Sequence, residues 1–279
     1  MSRRITSTMF GDFENHLRSN EKSEHTIEKY LRDVKAFHVF TEAREISKTL
    51  VMEFKASLAN NYEITSVNSM IAAVNAFLRF MGWTDCCIKQ FKMQKKAFCS
   101  EEKELTKAEY IRLVNTAKQK GNERLNLIIQ TICSTGIRVS ELQFITVEAV
   151  RKGEAVVSCK NKIRTVFIVR ELQKKLLNYI RKKSIESGCI FITKSGEPMN
   201  RCNIWREMKA LCEQAGVSPD KVFPHNLRHL FARTFYGREK DIAKLADLLG
   251  HSSINTTRIY IITSGAEHKR KMETMRLII

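Results

Sequence analysis

Apolar positions recur every three to four residues along the first 81 residues, which predicts amphipathic helices. Phe10, Phe13 and Leu17 mark the first stripe. A second begins at Ser23 or His25-Thr26 and places Ile27, Tyr30, Leu31, Val34, Phe37 and Phe40 on one side. A third runs from Ser47 to Leu58 with Leu50, Val51, Phe54 and Leu58 inward. The fourth covers Thr65 to Met81 through Val67, Ile71, Val74, Phe77, Leu78 and Met81. Four short helices of this kind bury their stripes by forming a small bundle.

The period is lost over residues 85–104, where Lys89, Lys92, Lys95, Lys96 and Lys103 crowd together; this stretch is expected to be an exposed basic linker. Thr106-x-x-Glu109 then has the form of a capping box, so a second domain is expected to open there, giving a division of 1–84, 85–104 and 105–279. Tyr110, Leu113, Val114 and Ala117 supply the first apolar face, and Leu125 to Cys133 predicts a buried helix. Gly136 interrupts it, and another helix is expected from near Val139. Ala155-Val156-Val157 and Thr165 to Val169 are expected to be two strands joined by the basic turn Lys160-Asn161-Lys162-Ile163-Arg164. Further helices are expected near 171–184, 201–215, 225–236, 240–249 and 254–260. The fold class is mainly α: a four-helix domain, then a mostly helical domain with a small antiparallel sheet.

Charge sharpens this division. The 279 residues carry a formal net charge of +18. Residues 1–84 hold 11 Lys+Arg and 10 Asp+Glu, a net of +1, and the other 195 hold 37 and 20, a net of +17. A basic excess of this size suits a polyanionic partner, because cations on phosphates release counterions. No run of about 18 apolar residues is present, so no membrane-spanning helix is expected, and the N-terminus lacks the apolar stretch of a secretory signal. The eight cysteines form no Cys-x-x-Cys pair and no zinc-finger spacing with histidine. They are expected to be mostly buried thiols of a reducing compartment, the cytoplasm, and no metal site is expected.

The candidate chemistry lies in the second domain. Thr135-Gly136-Ile137-Arg138-Val139-Ser140-Glu141-Leu142 supplies one arginine, and His225-Asn226-Leu227-Arg228 another. Leu249-Gly250-His251 and Thr256-Thr257-Arg258-Ile259-Tyr260 follow. A guanidinium presents a fork that matches two phosphate oxygens, an imidazole moves a proton near neutral pH, and a phenol oxygen can hold a covalent intermediate. His225 and Arg228 are one helical turn apart and so share a face, and Pro224 favours a helix start there. Glu141, one turn after Arg138, suits a carboxylate that orients a cation, although an ordinary surface glutamate has the same spacing. His229 is expected to be packed and not catalytic.

These ordered segments resemble the tyrosine recombinase (phage integrase) family, above all its short Xer-type members. Thr26-Ile27-Glu28-Lys29-Tyr30 with Phe37 and Phe40 also resembles that family's core-binding, SAM-like domain, which clamps DNA. The resemblance implies a site-specific recombinase that cuts and rejoins double-stranded DNA through a 3′-phosphotyrosine, with neither ATP nor metal and no cofactor. It implies Tyr260 as nucleophile, Arg138 and Arg228 on the phosphate oxygens, and His225 and His251 as proton-transfer or hydrogen-bonding groups, with Glu141 supporting them. It also implies a lysine on a hairpin as general acid. Here the chain departs from the family's Gly-Lys-Gly-x-Lys-x-Arg turn: Cys159-Lys160-Asn161-Lys162-Ile163-Arg164 has neither glycine and one residue fewer. Lys160 is the better match and Lys162 its rival. Lys89, Lys92, Lys95, Lys96, Lys162 and Arg164 are the expected DNA contacts. Recombination implies assembly on DNA, as a tetramer in the synapse. The helically spaced Met272, Met275 and Ile279 suggest a C-terminal helix that docks on a neighbour or on its own chain. Two rivals stay open: a strand-relaxing enzyme of topoisomerase IB type, and a catalytically silent DNA-binding relative.

Overall fold

The computed structural model describes residues 3–93, 103–159, 162–261 and 273–274. The expected linker residues Lys95 and Lys96, the hairpin Lys160 and nearly all of the expected C-terminal helix lie outside them. The chain divides into two compact units, residues 1–95 and 96–279.

In the first unit the apolar stripes become α1 (Thr8–Ser19), α2 (Glu24–Thr41), α3 (Lys48–Asn61) and α4 (Ile64–Phe80). Ser47 caps α3 by accepting from the Leu50 N–H at 3.2 Å. Phe13, Val34, Phe37, Val51, Val67, Ile71, Val74 and Phe77 are fully buried in one core. Each such side chain contributes about 1.5–3 kcal/mol through the area it removes from water.

The stretch from 85 onward departs from the expected tether. A 3₁₀ turn, Thr84–Cys86, leads into an extended segment bound to the bundle. The Asn75 amide donates to the Ile88 carbonyl at 2.8 Å and accepts from the Ile88 N–H at 3.1 Å. One further pair of turns along α4, Asn68 does the same with Phe91, at 2.9 and 2.8 Å. Two asparagines thus act as a backbone ladder, and Lys89 and Lys92 are exposed beside them.

The second unit opens as its sequence predicts. Thr106 and Glu109 form both bonds of the capping box that starts α5 (Lys107–Gln119). Then come α6 (Glu123–Thr135), α7 (Val147–Lys152), β1 (Glu154–Cys159), β2 (Lys162–Phe167), α8 (Arg170–Lys182), α9 (Arg201–Lys209), α10 (Cys212–Ala215), α11 (Pro224–Glu239), α12 (Ile242–Leu249) and α13 (Ile254–Ile261). The helix expected from Val139 is a 3₁₀ turn, Val139–Phe144. The helix expected over 201–215 breaks near Leu211 into α9 and α10. The six-residue α7 is not announced by the pattern.

The hairpin also differs. The antiparallel register pairs Cys159 with Lys162 and Val157 with Arg164, so the strands run on to leave only Lys160-Asn161 between them. Lys162, Ile163 and Arg164 belong to β2, and Val169 has left the strand to precede α8. The cross-strand ladder overrides the basic composition that suggested a longer turn. Of the described cysteines, Cys86 and Cys212 are buried and Cys202 is exposed, fewer buried thiols than expected. No helix among the described residues is long and apolar enough to cross a membrane.

Candidate active site

Three chain turns converge where α6, α11, α12 and α13 pack. Gly136 closes α6 in the left-handed conformation, φ +65°. A Cβ there would come within 2.5 Å of the Phe231 ring, so glycine is required twice over, by backbone and by space. Pro224 occupies the first turn of α11, whose next turn carries Arg228. Gly250, φ +65°, ends α12 and turns the chain to His251. Tyr260 sits on α13, its ring packed with Ala232, Leu245 and Leu249 and only 6% exposed.

Arg228 lies at the centre and is 1% exposed. Its Nη1 donates to the Gly136 carbonyl at 2.5 Å, and its Nη2 donates to the Leu249 carbonyl at 2.7 Å and to His251 Nε2 at 3.0 Å. The two carbonyls are the open ends of α6 and α12, where the helix dipole favours a cation. Burial, and next the charge of Arg138, push the Arg228 pKa down to about 10, yet it remains a cation at neutral pH.

The tautomer of His251 follows from its neighbours. A guanidinium N–H cannot accept, so Nε2 accepts from Arg228 and the ring proton sits on Nδ1, which donates to Thr257 Oγ1 at 2.9 Å. Thr257 is fully buried. A hydroxyl can donate as well as accept, so Thr257 also suits the opposite tautomer, the one that would present an Nε2–H to a phosphate. Burial and the charges of Arg228, Arg138 and Arg164 push the His251 pKa down to about 4, so its ring is neutral.

The Tyr260 hydroxyl lies 3.2 Å from His225 Nε2, within reach for proton transfer. His225 stands at the mouth of the pocket. Desolvation of its ring, then the charges of Arg228, Arg138 and Arg201, lower its pKa and leave it a neutral base. The ring of Tyr260 is walled by His229 at 4.3 Å, His251 at 5.3 Å and His225 at 5.4 Å between centroids, with the Arg228 Cζ 5.9 Å from its own. His229 is packed as expected, its pKa pushed down to about 4 by burial, next by His225 and Arg228.

Arg138 occupies the open side and is 35% exposed in its side chain. Its Nη1 donates to Glu141 Oε1 at 2.7 Å and its backbone N–H to Oε2 at 2.9 Å. Glu141 is 1% exposed, not a surface glutamate. Burial alone would raise its pKa; the Arg138 N–H and guanidinium, with the charge of Arg164, outweigh this and hold it below the usual carboxylate range.

Arg164 corrects an expectation. The sequence suggests a basic turn facing DNA; its side chain is 12% exposed and points inward, to Glu141 Oε2 and the Leu248 carbonyl. Strand alternation is the reason: Arg164, Val166 and Ile168 turn in while Ile163, Thr165 and Phe167 turn out. Lys162 opens β2, and Lys160 falls outside the described residues; the structure brings together Arg138, Glu141, His225, Arg228, His251 and Tyr260. Thr257 was not singled out in the sequence. It lies inside the tyrosine segment, one turn before Tyr260, and a hydroxyl on that face was the available signal. Among the described residues no group of three or more His, Cys, Asp or Glu is arranged to hold a metal ion.

A phenol beside a neutral imidazole, over a buried guanidinium and near a second, half-exposed one, is equipped for covalent phosphoryl transfer. Comparison with known proteins gives this class a family. Residues 103–266 match the phage integrase family and residues 10–84 its N-terminal SAM-like domain. The chain belongs to the phage integrase family. It is 29% identical to the tyrosine recombinase XerA of Pyrococcus furiosus over 98% of this chain and 96% of that one. It is 30% identical to the tyrosine recombinase XerH of Campylobacter jejuni over 80% of this chain and 69% of that one. Its fold matches that of a lambda integrase tetramer bound to a Holliday junction, with a TM-score of 0.74 and 17% identity, over 93% of this chain and 77% of that one.

Proposed function

We propose that this protein is a site-specific DNA recombinase that cuts and rejoins strands through Tyr260. The observation that carries the reading is the 3.2 Å contact between the Tyr260 hydroxyl and a neutral His225, above Arg228, in a member of this family. Tyr260 Oη attacks the scissile phosphorus and gives its proton to His225 Nε2. The bond from phosphorus to the 5′ oxygen breaks, and that oxygen takes a proton from the hairpin lysine, Lys160 or Lys162. Arg138 and Arg228 meet the charge that builds on the nonbridging oxygens, and His251 adds a hydrogen bond. A 5′-hydroxyl from the partner strand then attacks the 3′-phosphotyrosine and gives its proton back to the hairpin lysine, and the phenol leaves with the proton held by His225. Bond energy is conserved in the ester, so the cycle uses no ATP and no cofactor.

Residues 1–84 serve as the DNA clamp and 105–279 as the catalytic domain, with the basic stretch between them on phosphates. The exposure of Lys89 and Lys92 supports this, and Lys95 and Lys96 extend the same run. The active assembly is a tetramer on two DNA segments, a reading supported by the lambda integrase tetramer on a Holliday junction, and it works in the cytoplasm. A plasmid with two copies of a site selected by the protein from random-sequence DNA tests the reading. Recombination exchanges the flanking sequences. Relaxation without exchange would indicate a topoisomerase, and binding without either a silent relative.

A further inference from the structure

We propose that Arg164 is a positioning residue that sets the geometry and charge of the pocket from behind Arg138. Its Nη1 holds the Leu248 carbonyl at 2.8 Å and its Nη2 holds Glu141 Oε2 at 2.7 Å. One guanidinium therefore ties β2 to the turn that carries Arg138 and to the end of α12 that leads into His251. The fit is made for it: a Cβ at Gly250 would strike the Arg164 stem. A lysine, a point charge with no fork, could hold only one of the two partners well.

Charge gives the link its consequence. Glu141 offers Oε1 to Arg138 Nη1, while Oε2 is shared between the Arg138 N–H and Arg164. With Arg164 removed, the buried carboxylate would be balanced by Arg138 alone, and that pair would close on itself as a neutral unit. With Arg164 in place the three groups carry a net positive charge, and the half-exposed Arg138 is held ready for the charge that builds on the phosphate oxygens in the transition state. A phosphate contact by Arg164 itself is at odds with its inward aim and 12% exposure.

The inference rests on the recombinase reading of Arg138, and a double-mutant cycle tests it. The probe is a nicked suicide duplex that carries the site selected by the protein, and the readouts are DNA affinity and the rate of covalent adduct formation by bound protein. Arg164→Met is expected to slow adduct formation by about 100-fold, the scale of a displaced phosphate ligand, with affinity and its salt dependence unchanged. In a Glu141→Gln background the same change is expected to cost less than about 10-fold, because the carboxylate charge that Arg164 offsets is gone. A structural defect alone would slow both backgrounds equally and overturns the proposal. So does a wild-type rate in Arg164→Met, or a loss of affinity with a shallower salt dependence, which would make Arg164 a DNA contact. Should Arg164→Met not fold, Arg164→Lys in the same two backgrounds carries the comparison, with a smaller loss in the glutamate background and almost none in the glutamine one. The unaltered protein is run in parallel: no adduct from it removes the recombinase reading itself, whereas an adduct with no coupling in the cycle removes only this inference.

Discussion

Asn75 in the first unit and Arg228 in the second are both buried polar side chains on the inner face of a helix, and they are used in opposite ways. Asn75 has its amide donor and acceptor answered by the backbone of Ile88, so its burial fixes a chain segment at little cost. Arg228 is a full charge with its Nε–H buried and unpartnered, and it lies close to the charge of Arg138. Burying a cation incompletely satisfied and near another cation opposes folding. A fold keeps such a group where an anion will complete it. The first unit spends its polar groups on holding its own chain, and the second holds charge ready for a ligand.

Substitutions should separate the two. The largest effect is expected from Arg228→Met, which slows covalent adduct formation by about 100- to 1,000-fold in single-turnover assays on bound DNA. Next is Thr257→Val, which removes the partner of His251 Nδ1 and slows adduct formation by about 10- to 100-fold; Thr257→Ser restores it.

A third effect is on stability. His229 and His251 have folded pKa values near 4, below the ordinary 6.5. Between those values the unfolded chain binds more protons than the folded one, so stability rises with pH across this window. It is complete above about 6.5 and is lost as pH falls towards 4. Both residues are only partly buried, and this keeps the loss to about 2 kcal/mol for the pair, read as a fall in the melting transition of the second unit. His229→Phe should flatten that slope.

The smallest effect is expected from Asn75→Ala, which destabilises the first unit by about 1 kcal/mol in urea titrations and leaves the rate of adduct formation by bound protein unchanged.

Helices were legible in the sequence because an apolar stripe of period 3.6 is local information. The stripes from Phe10 to Met81 and the Thr106–Glu109 capping box needed no tertiary context. The site was legible as residue types in order: Arg138, His225, Arg228, His251 and Tyr260 come to one pocket. What the sequence withheld depends on pairing. The strand register moved Arg164 from an expected turn to an inward strand position, and only the ladder with Val157 sets that face. Asn68 and Asn75 read as ordinary polar interruptions of α4 until the segment they bind is known. Thr257 looked like part of a motif and not like a partner, since its role exists only once His251 folds back against α13.

The most direct test is to trap the protein on the nicked suicide duplex, digest the product and sequence the peptide that retains DNA. The account predicts a single nucleotide-linked peptide, modified at Tyr260, and no linked peptide from Tyr260→Phe protein that still binds the duplex. A DNA link at any other residue, or an adduct that persists in Tyr260→Phe, would contradict it.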